Sequence, residues 1–215
     1  MKKKIYNKIG RLVGMLAITV LFVACDEHRD FPDTAMKPCH ILCTDFRESE
    51  KQPIAVVFHI NHDENTEGNG YAVYLWDLEP LAFADSIGVK QNTSADIAAL
   101  DGFENTFALL DARETSSPLA EKVFDMWRYG QSAYVPSVAQ MRLLYHAKEQ
   151  INPVIKMCGG DTLSIEADDC WYWTSTEVNE QQTAKAWLYS MGSGTIHDTP
   201  KIQAHKSRAI ITLRD

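Results

Sequence analysis

The chain has 215 residues, 23% of them charged, with 29 acidic against 21 basic side chains and a formal net charge of −8. That balance argues against nucleic acid and anionic lipid headgroups as partners, because both call for a basic surface. The length suits one hydrophobic core and one main domain, and 45% hydrophobic residues are enough to fill it.

The first residues do not read as fold. Lys2, Lys3, Lys4, Lys8 and Arg11 precede an unbroken apolar run from Leu12 to Ala24, which ends at Cys25. A basic region, a short apolar region and a small residue before the cut describe a secretory signal peptide over residues 1–24. The run falls short of the ~20 residues that span a bilayer. Leu21-Phe22-Val23-Ala24-Cys25 resembles a bacterial lipobox, with Phe22 where leucine is usual. The resemblance implies that Cys25 is acylated and becomes the first residue of the mature chain, anchored to a membrane rather than spanning it. Residues 25–37 are acidic, contain proline and lack apolar periodicity, so a tether is expected there. An acidic stretch directly after the lipidated cysteine resembles a surface-export signal, which implies the outer membrane and its outward face. Without the leader's five basic residues the chain carries 16 basic and 29 acidic side chains, a formal −13.

Strand composition opens the folded part. "CHILCTD" from Cys39, "IAVVFHI" (Ile54 to Ile60) and "GYAVYLWDL" (Gly70 to Leu78) are rich in β-branched and aromatic residues. The polar stretch "NHDENTEGNG" between the last two reads as a hairpin connection, and residues 78–93 read as irregular loop. Helices follow. "DGFENTFALLDAR" places Phe103, Phe107 and Leu110 on one helical face. "SSPLAEKVFDMWRYG" has a serine cap, Pro118 at the first helical position, a stripe of Leu119, Val123 and Met126, and a stop at Gly130. "PSVAQMRLLYHAKEQ" sets Ser137 and Gln140 in capping-box register, with Met141, Leu144 and Tyr145 facing inward. "NPVIKMCGG" predicts a further short helix capped by Asn152 and stopped by Gly159. Strand language then returns in "WYWTST", "AKAWLYSM" and "RAIITL". Strands, helices, then strands is an α+β order, not an alternating βαβ one.

Besides Cys25 the chain has Cys39, Cys43, Cys158 and Cys170. Outside the cytoplasm a disulfide is permitted. Cys158 and Cys170 lie across a Gly-Gly turn and form a candidate pair, and two free thiols are the equal alternative. No cysteine spacing resembles a zinc knuckle.

"AYVPSVAQMRLLY" resembles the W-Y-L-P-S-x-x-E-L pattern of the Lcl C-terminal domain family, found in bacterial surface lipoproteins, and "YWTSTE" (Tyr172 to Glu177) resembles that family's Y-W-S-S-T-E. "HILCTD" with "IAVVFHI", then "DGFENTFALL", then "AWLYSMGSG" with "KSRAIITL" resemble further family segments in the same order. The likeness runs from about Pro38 to Asp215. This chain departs from the pattern at Ala133, where the family has tryptophan, at Gln140, where it has glutamate, and in a closing strand that keeps only Arg208. The resemblance implies a C-type-lectin-like domain over 38–215, with a mixed β-sheet core flanked by helices, and adhesion through glycan or glycosaminoglycan binding.

Candidate chemistry is sparse. Asp63 to Gly68 partly fits a calcium loop, but Tyr74 stands where the bidentate glutamate belongs. His59 and His62, with Asp63, have a spacing that turns the two rings to opposite faces of a strand. The hydroxyl run at Thr174, Ser175 and Thr176 has no nearby base, and no G-x-S-x-G occurs. No metal, cofactor or catalytic residue is therefore expected, and the reading is non-enzymatic. Trp171, Trp173 and Trp187 are packing residues at strand spacing first, and a sugar-stacking platform second. Asp33-Thr34-Ala35, Asp85-Ser86-Ile87 and Asp161-Thr162-Leu163 resemble an O-glycosylation acceptor motif. Two functions follow as expectations: a metal-independent glycan-binding surface lipoprotein, or an accessory subunit of a fimbria-like complex that holds a protein partner through an exposed apolar patch.

Overall fold

The computed structural model describes residues 36–44, 52–62, 69–127 and 133–213, all within one compact unit. The leader, Cys25, the tether up to Ala35, Asp63 to Gly68 and Gly130 lie outside the described residues. The architecture is α+β, with two sheets and three helices among the described residues.

The strands are β1 (Ile41–Thr44), β2 (Gln52–Ile60), β3 (Gly70–Tyr74), β4 (Leu78–Ala82), β5 (Trp171–Glu177), β6 (Lys185–Ser190), β7 (Ile196–Pro200), β8 (Ala204–Ser207) and β9 (Ile210–Leu213). The helices are α1 (Gly102–Asp111), α2 (Pro118–Trp127) and α3 (Val138–Met157). One sheet has the order β1-β2-β3-β9, so the last strand closes onto the first hairpin. The other runs β4-β8-β5-β6-β7, antiparallel except where Tyr172 of β5 pairs with Lys206 of β8.

Strand alternation divides the core in two. On β2, Ala55 and Val57 pack with Ala72, Trp173 and Leu188, while Val56 and Phe58 pack with Tyr71, Val73 and Tyr172. Both faces are covered, which is why "IAVVFHI" reads as a continuous apolar run. Helices α1 and α2 contribute Leu109, Leu119, Ala120 and Val123 to the first cluster. Helix α3 contributes Val138, Met141, Leu144, Ile151 and Ile155 to the second.

The caps predicted at Ser137 and Ser117 and the stop at Gly159 hold. Ser137 Oγ accepts from Gln140 N–H at 3.4 Å, and Gln140 Oε1 accepts from Ser137 N–H at 3.0 Å. Ser117 Oγ accepts from Ala120 N–H and donates to Phe83 O, tying α2 to the end of β4. Gly159 adopts φ +76° just past α3, a left-handed stop that glycine tolerates best.

Four expectations need correction. Residues 78–93 are not all loop, since Leu78–Ala82 forms β4 against β8. β7 and β8 lie between "AKAWLYSM" and "RAIITL", where the sequence suggests no strand. Asn152 caps no second helix, because α3 runs unbroken through Pro153. Its buried stripe of Met141, Leu144, Lys148, Ile151 and Ile155 continues at helical spacing, and Asn152 instead bonds Leu163 through both amide groups. Helix α1 buries Gly102, Asn105, Thr106 and Leu109 rather than Phe107. Asn105 and Thr106 turn inward because Asn105 Oδ1 accepts from Ser94 N–H, and Thr106 Oγ1 accepts from Val135 N–H.

Candidate functional site

Of the family-like segments, "AYVPSVAQMRLLY" and "YWTSTE" meet in space. Ser175 N–H donates to Pro136 O at 2.9 Å, and Val138 N–H donates to Thr176 Oγ1 at 3.3 Å. Tyr134 bridges Ile210 of β9. Thr174, Ser175, Thr176 and Glu177 are all fully buried. The hydroxyl run therefore joins the start of α3 to β5, and no substrate reaches it. Gln140 does what a glutamate at that position could not, because its Nε2 donates to Leu100 O at 3.3 Å and to Tyr134 Oη at 3.1 Å.

Glu177 ends that run in a closed charge network. Its carboxylate accepts from Gln91 N–H at 2.9 Å, Thr93 N–H at 3.1 Å and Thr93 Oγ1 at 3.0 Å, and pairs with Lys201. Both side chains of the pair are wholly inaccessible. Lys201 also points at Val89 O and Gln91 Oε1, at 3.3 and 3.4 Å. Burial pulls the Lys201 ammonium below the usual lysine range, and Glu177 opposes that pull. The network pins residues 89–93 onto the sheet and is structural, since a group sealed from solvent cannot meet a ligand.

One accessible feature is a groove of about 850 Å³ between the second half of α3, the start of β4 and the loop before β5. Arg208 does not line it but lies beneath, bonded to the lining residues Asp77 and Asp161. This fully buried guanidinium donates to Tyr74 O, Leu75 O and Asp161 O at 3.0, 3.1 and 2.7 Å, and to Asp77 Oδ1 at 2.6 Å. Gly160 lets the chain come close, because a Cβ there would lie 2.5 Å from Leu75 O. That approach allows Asp161 N–H to reach Leu75 O at 2.8 Å and brings Asp161 to the rim. Lys206 of β8 sits above Arg208, 3.2 Å from Asp77 Oδ2, 2.7 Å from Asp169 Oδ1 and 4.5 Å over the Tyr172 ring. Burial depresses the Lys206 ammonium, but the bond to Asp169 together with Tyr172 and Asp77 outweighs it, and the net shift is upward. The same bond holds the Asp169 carboxyl below the usual range, and burial followed by Asp77 raises the Tyr172 hydroxyl.

The groove is lined by six carboxylates, from Asp77, Glu79, Glu149, Asp161, Glu166 and Asp169, against the single lining ammonium of Lys206. From outside the lining, Arg208 pairs with Asp77, Lys122 with Glu79 and Lys148 with Glu149. Leu78, Pro80, Leu163 and Ile165 add apolar surface. No histidine or cysteine lines it, and Asp77 is saturated by Arg208 and Lys206. Such a surface is rich in acceptors. It suits a ligand that brings hydroxyl or ammonium donors, and it repels sulfate and carboxylate.

The tryptophans make no common platform, which corrects the stacking expectation. Trp173 is fully buried, its Nε1 donating to Leu81 O at 2.9 Å. Trp171 and Trp187 are half-buried on opposite faces of the sheet, Trp171 against the cluster that holds Trp173 and Trp187 against the one that holds Tyr189. The strand period separates them. Cys158 and Cys170 are not bonded to each other and have different neighbours, Cys170 Sγ lying 3.3 Å from Ser190 Oγ. His59 stacks on Tyr71, and His62 is exposed beyond the end of β2. Among the described residues, no group of three or more His, Cys, Asp or Glu side chains is arranged to hold a metal ion. Nor is any helix there long and apolar enough to cross a membrane. Of the acceptor-like triplets, Ser86 Oγ donates to Asp85 and Thr115, and Thr162 lies in the groove. The Asp33 triplet is outside the described residues.

Sequence reasoning did not bring Asp77, Asp161 and Lys206 together: Asp77 lay in a strand-like run, Asp161 in an acceptor-like triplet and Lys206 in a family-like segment, each read separately. Arg208 and Glu177 were visible only as matches to the family pattern. Comparison with protein-family models finds no match, and neither does comparison with curated proteins.

Proposed function

We propose that the chain is an exported, lipid-anchored recognition protein of the Lcl C-terminal type. Its C-type-lectin-like domain binds a neutral or amino-bearing glycan in the groove above Arg208, without metal and without catalysis. The lipobox-like Cys25 supports the anchor, and placement on the outer face of the outer membrane rests on the acidic tether. The α+β core flanked by helices, together with the bond from Ser175 to Pro136, supports the lectin-like reading. The observation that carries the ligand class is the lining of six carboxylates against one ammonium. Sugar hydroxyls and ammonium groups are donors to such acceptors, and Ile165, more than half exposed, offers an apolar patch for a ring face. Sulfated glycosaminoglycans, which the family resemblance alone would allow, are disfavoured by the like charge.

A glycan array probed with the chain from residue 26 onward, with calcium and then with chelator, tests this. Binding to neutral or amino sugars that survives chelator and falls at least tenfold in Glu166→Lys and Ile165→Ala is expected. Binding lost in chelator would move the site to Asp63 to Gly68. A silent array, with a protein captured from the cell surface through these same residues, would replace the glycan reading with the accessory-subunit one.

A further inference from the structure

We propose that Cys43 and Cys158 form a disulfide that staples the edge strand β1 to the end of α3. The proposal rests on the export reading, since only an oxidising compartment sustains such a bond.

Strand β1 lies at the edge of its sheet, held by β2 alone, with a register shift between Leu42 and Cys43. Leu42 packs toward the α1–α2 side, whereas Ile41 pairs with Val56, which belongs to the α3 side. Alternation places Cys43 on the same face as Ile41, toward α3. The other end of this contact is fixed by Cys39, whose thiol lies 3.6 Å from Gln150 O on α3. From Gln150 to Cys158 the helix rises about 12 Å, at ~1.5 Å per residue. Cys39 lies in the turn just before β1, with φ +72°, so from Cys39 to Cys43 the chain advances by less than the ~13 Å of a fully extended strand. Cys39 N–H donates to Val57 O where its thiol meets Gln150. Gly160, just past α3, packs instead on Leu75, whose N–H donates to Ile54 O beside Pro53, the partner of Cys43. Helix α3 thus runs along β1 in the same direction, and its end comes over Cys43. Independently, burial raises the Cys158 thiol above its ordinary value, and Cys43 is the neighbouring group that adds to the rise.

The other thiols do not compete. Cys39 is roughly 10 Å or more from both partners by the same steps, beyond the ~7 Å Cα limit. Cys170 is buried between Ala167 O, Ser190 and Gly192. Cys43 is exposed and reacts first. Its thiolate attacks a disulfide-bearing oxidant of the cell envelope, one oxidant sulfur leaves as thiolate, and a mixed disulfide forms. The Cys158 thiolate then attacks the Cys43 sulfur and expels the second oxidant sulfur. Two protein thiols are oxidised, and one oxidant disulfide is reduced to two thiols. The tether enters the domain just before β1, so any pull from the membrane peels this edge strand first. The bridge stops the peeling at Cys43.

The test takes the full chain from the cells that make it, alkylated before lysis, extracted in detergent and digested without reduction. A Cys43–Cys158 linked peptide in most molecules that carry acylated Cys25 is expected. Acylated Cys25 with alkylated Cys43 and Cys158, or with either joined to Cys39 or Cys170, overturns the bridge and leaves the export reading standing. An unprocessed amino terminus overturns export instead. The bridge is then decided by the purified, reduced full chain in a glutathione redox buffer. There Cys43–Cys158 must form, must survive Cys39→Ser and Cys170→Ser, and must slow exchange of the β1 amides at least tenfold. Failure in that buffer overturns the geometry.

Discussion

Replacing Glu177 by leucine strips four partners at once. The buried Lys201 ammonium is left with Val89 O and Gln91 Oε1 at 3.3 and 3.4 Å, and the N–H groups of Gln91 and Thr93 lose their acceptor. Stranding one member of a buried ion pair costs about 3–5 kcal/mol, and each orphaned buried donor adds roughly 1–3 kcal/mol. The sum, on the order of 5 kcal/mol or more, approaches the whole stability of an ordinary domain. Lys201→Met is milder, about 3 kcal/mol, because Glu177 keeps its three donors from Gln91 and Thr93. The double variant Glu177→Leu with Lys201→Met should then be more stable than Glu177→Leu alone, because the stranded charge is gone and only the orphaned N–H groups remain. Guanidinium unfolding of the chain from residue 26 onward, read as midpoint and slope, measures all three. Simple additivity of the two single changes, or Glu177→Leu within about 1 kcal/mol of the parent, would refute the account of the network.

Four further outcomes follow from the same structure. Trp173→Ala should cost about 3–5 kcal/mol, whereas Trp171→Ala, half-buried, should cost well under half of that; equal costs would contradict the two placements. Gln140→Glu should cost roughly 1–3 kcal/mol, since the carboxylate has no donor for Leu100 O, and an unchanged unfolding midpoint would show that this bond is idle. Arg208→Lys should destabilise by about 3–5 kcal/mol and lower groove binding as well, because one ammonium cannot replace contacts to three carbonyls and Asp77; full retention of both would be contrary evidence. Asp85, bonded to Thr115, Ser116 and Ser86, has its carboxyl lowered to about 2. Its folded value lies below the unfolded one, so its contribution is present above roughly pH 4 and is lost as pH falls toward 2. The midpoint difference between the parent and Asp85→Asn should therefore shrink over that window, and a difference independent of pH would exclude this role.

Legibility followed the range of the interactions. Ser137 with Gln140, Ser117 before Pro118, and Gly159 after α3 are local devices, each settled within a few residues, and each stands where the sequence places it. β2, β5 and β6 announced themselves by composition, because both of their faces are covered and apolar side chains run along them. β4, β7 and β8 did not. "LEPLA", "IHDTP" and "AHKS" carry charge, proline and histidine, and they become strands only because neighbouring strands supply hydrogen bonds.

The sequence alone determined the order of elements, the α+β class, the helix caps and most of the core, because propensity, capping and apolar periodicity act over a turn or a strand. Tertiary structure decided which polar groups are spent and which remain free. It sealed Thr174 to Glu177 away, placed Trp171 and Trp187 on opposite faces, and gathered Asp77, Asp161 and Lys206 into one groove with Arg208 bonded beneath it. Those residues are up to 131 positions apart in the chain. A buried charge must find its partner wherever the fold brings one, and no local pattern encodes that meeting.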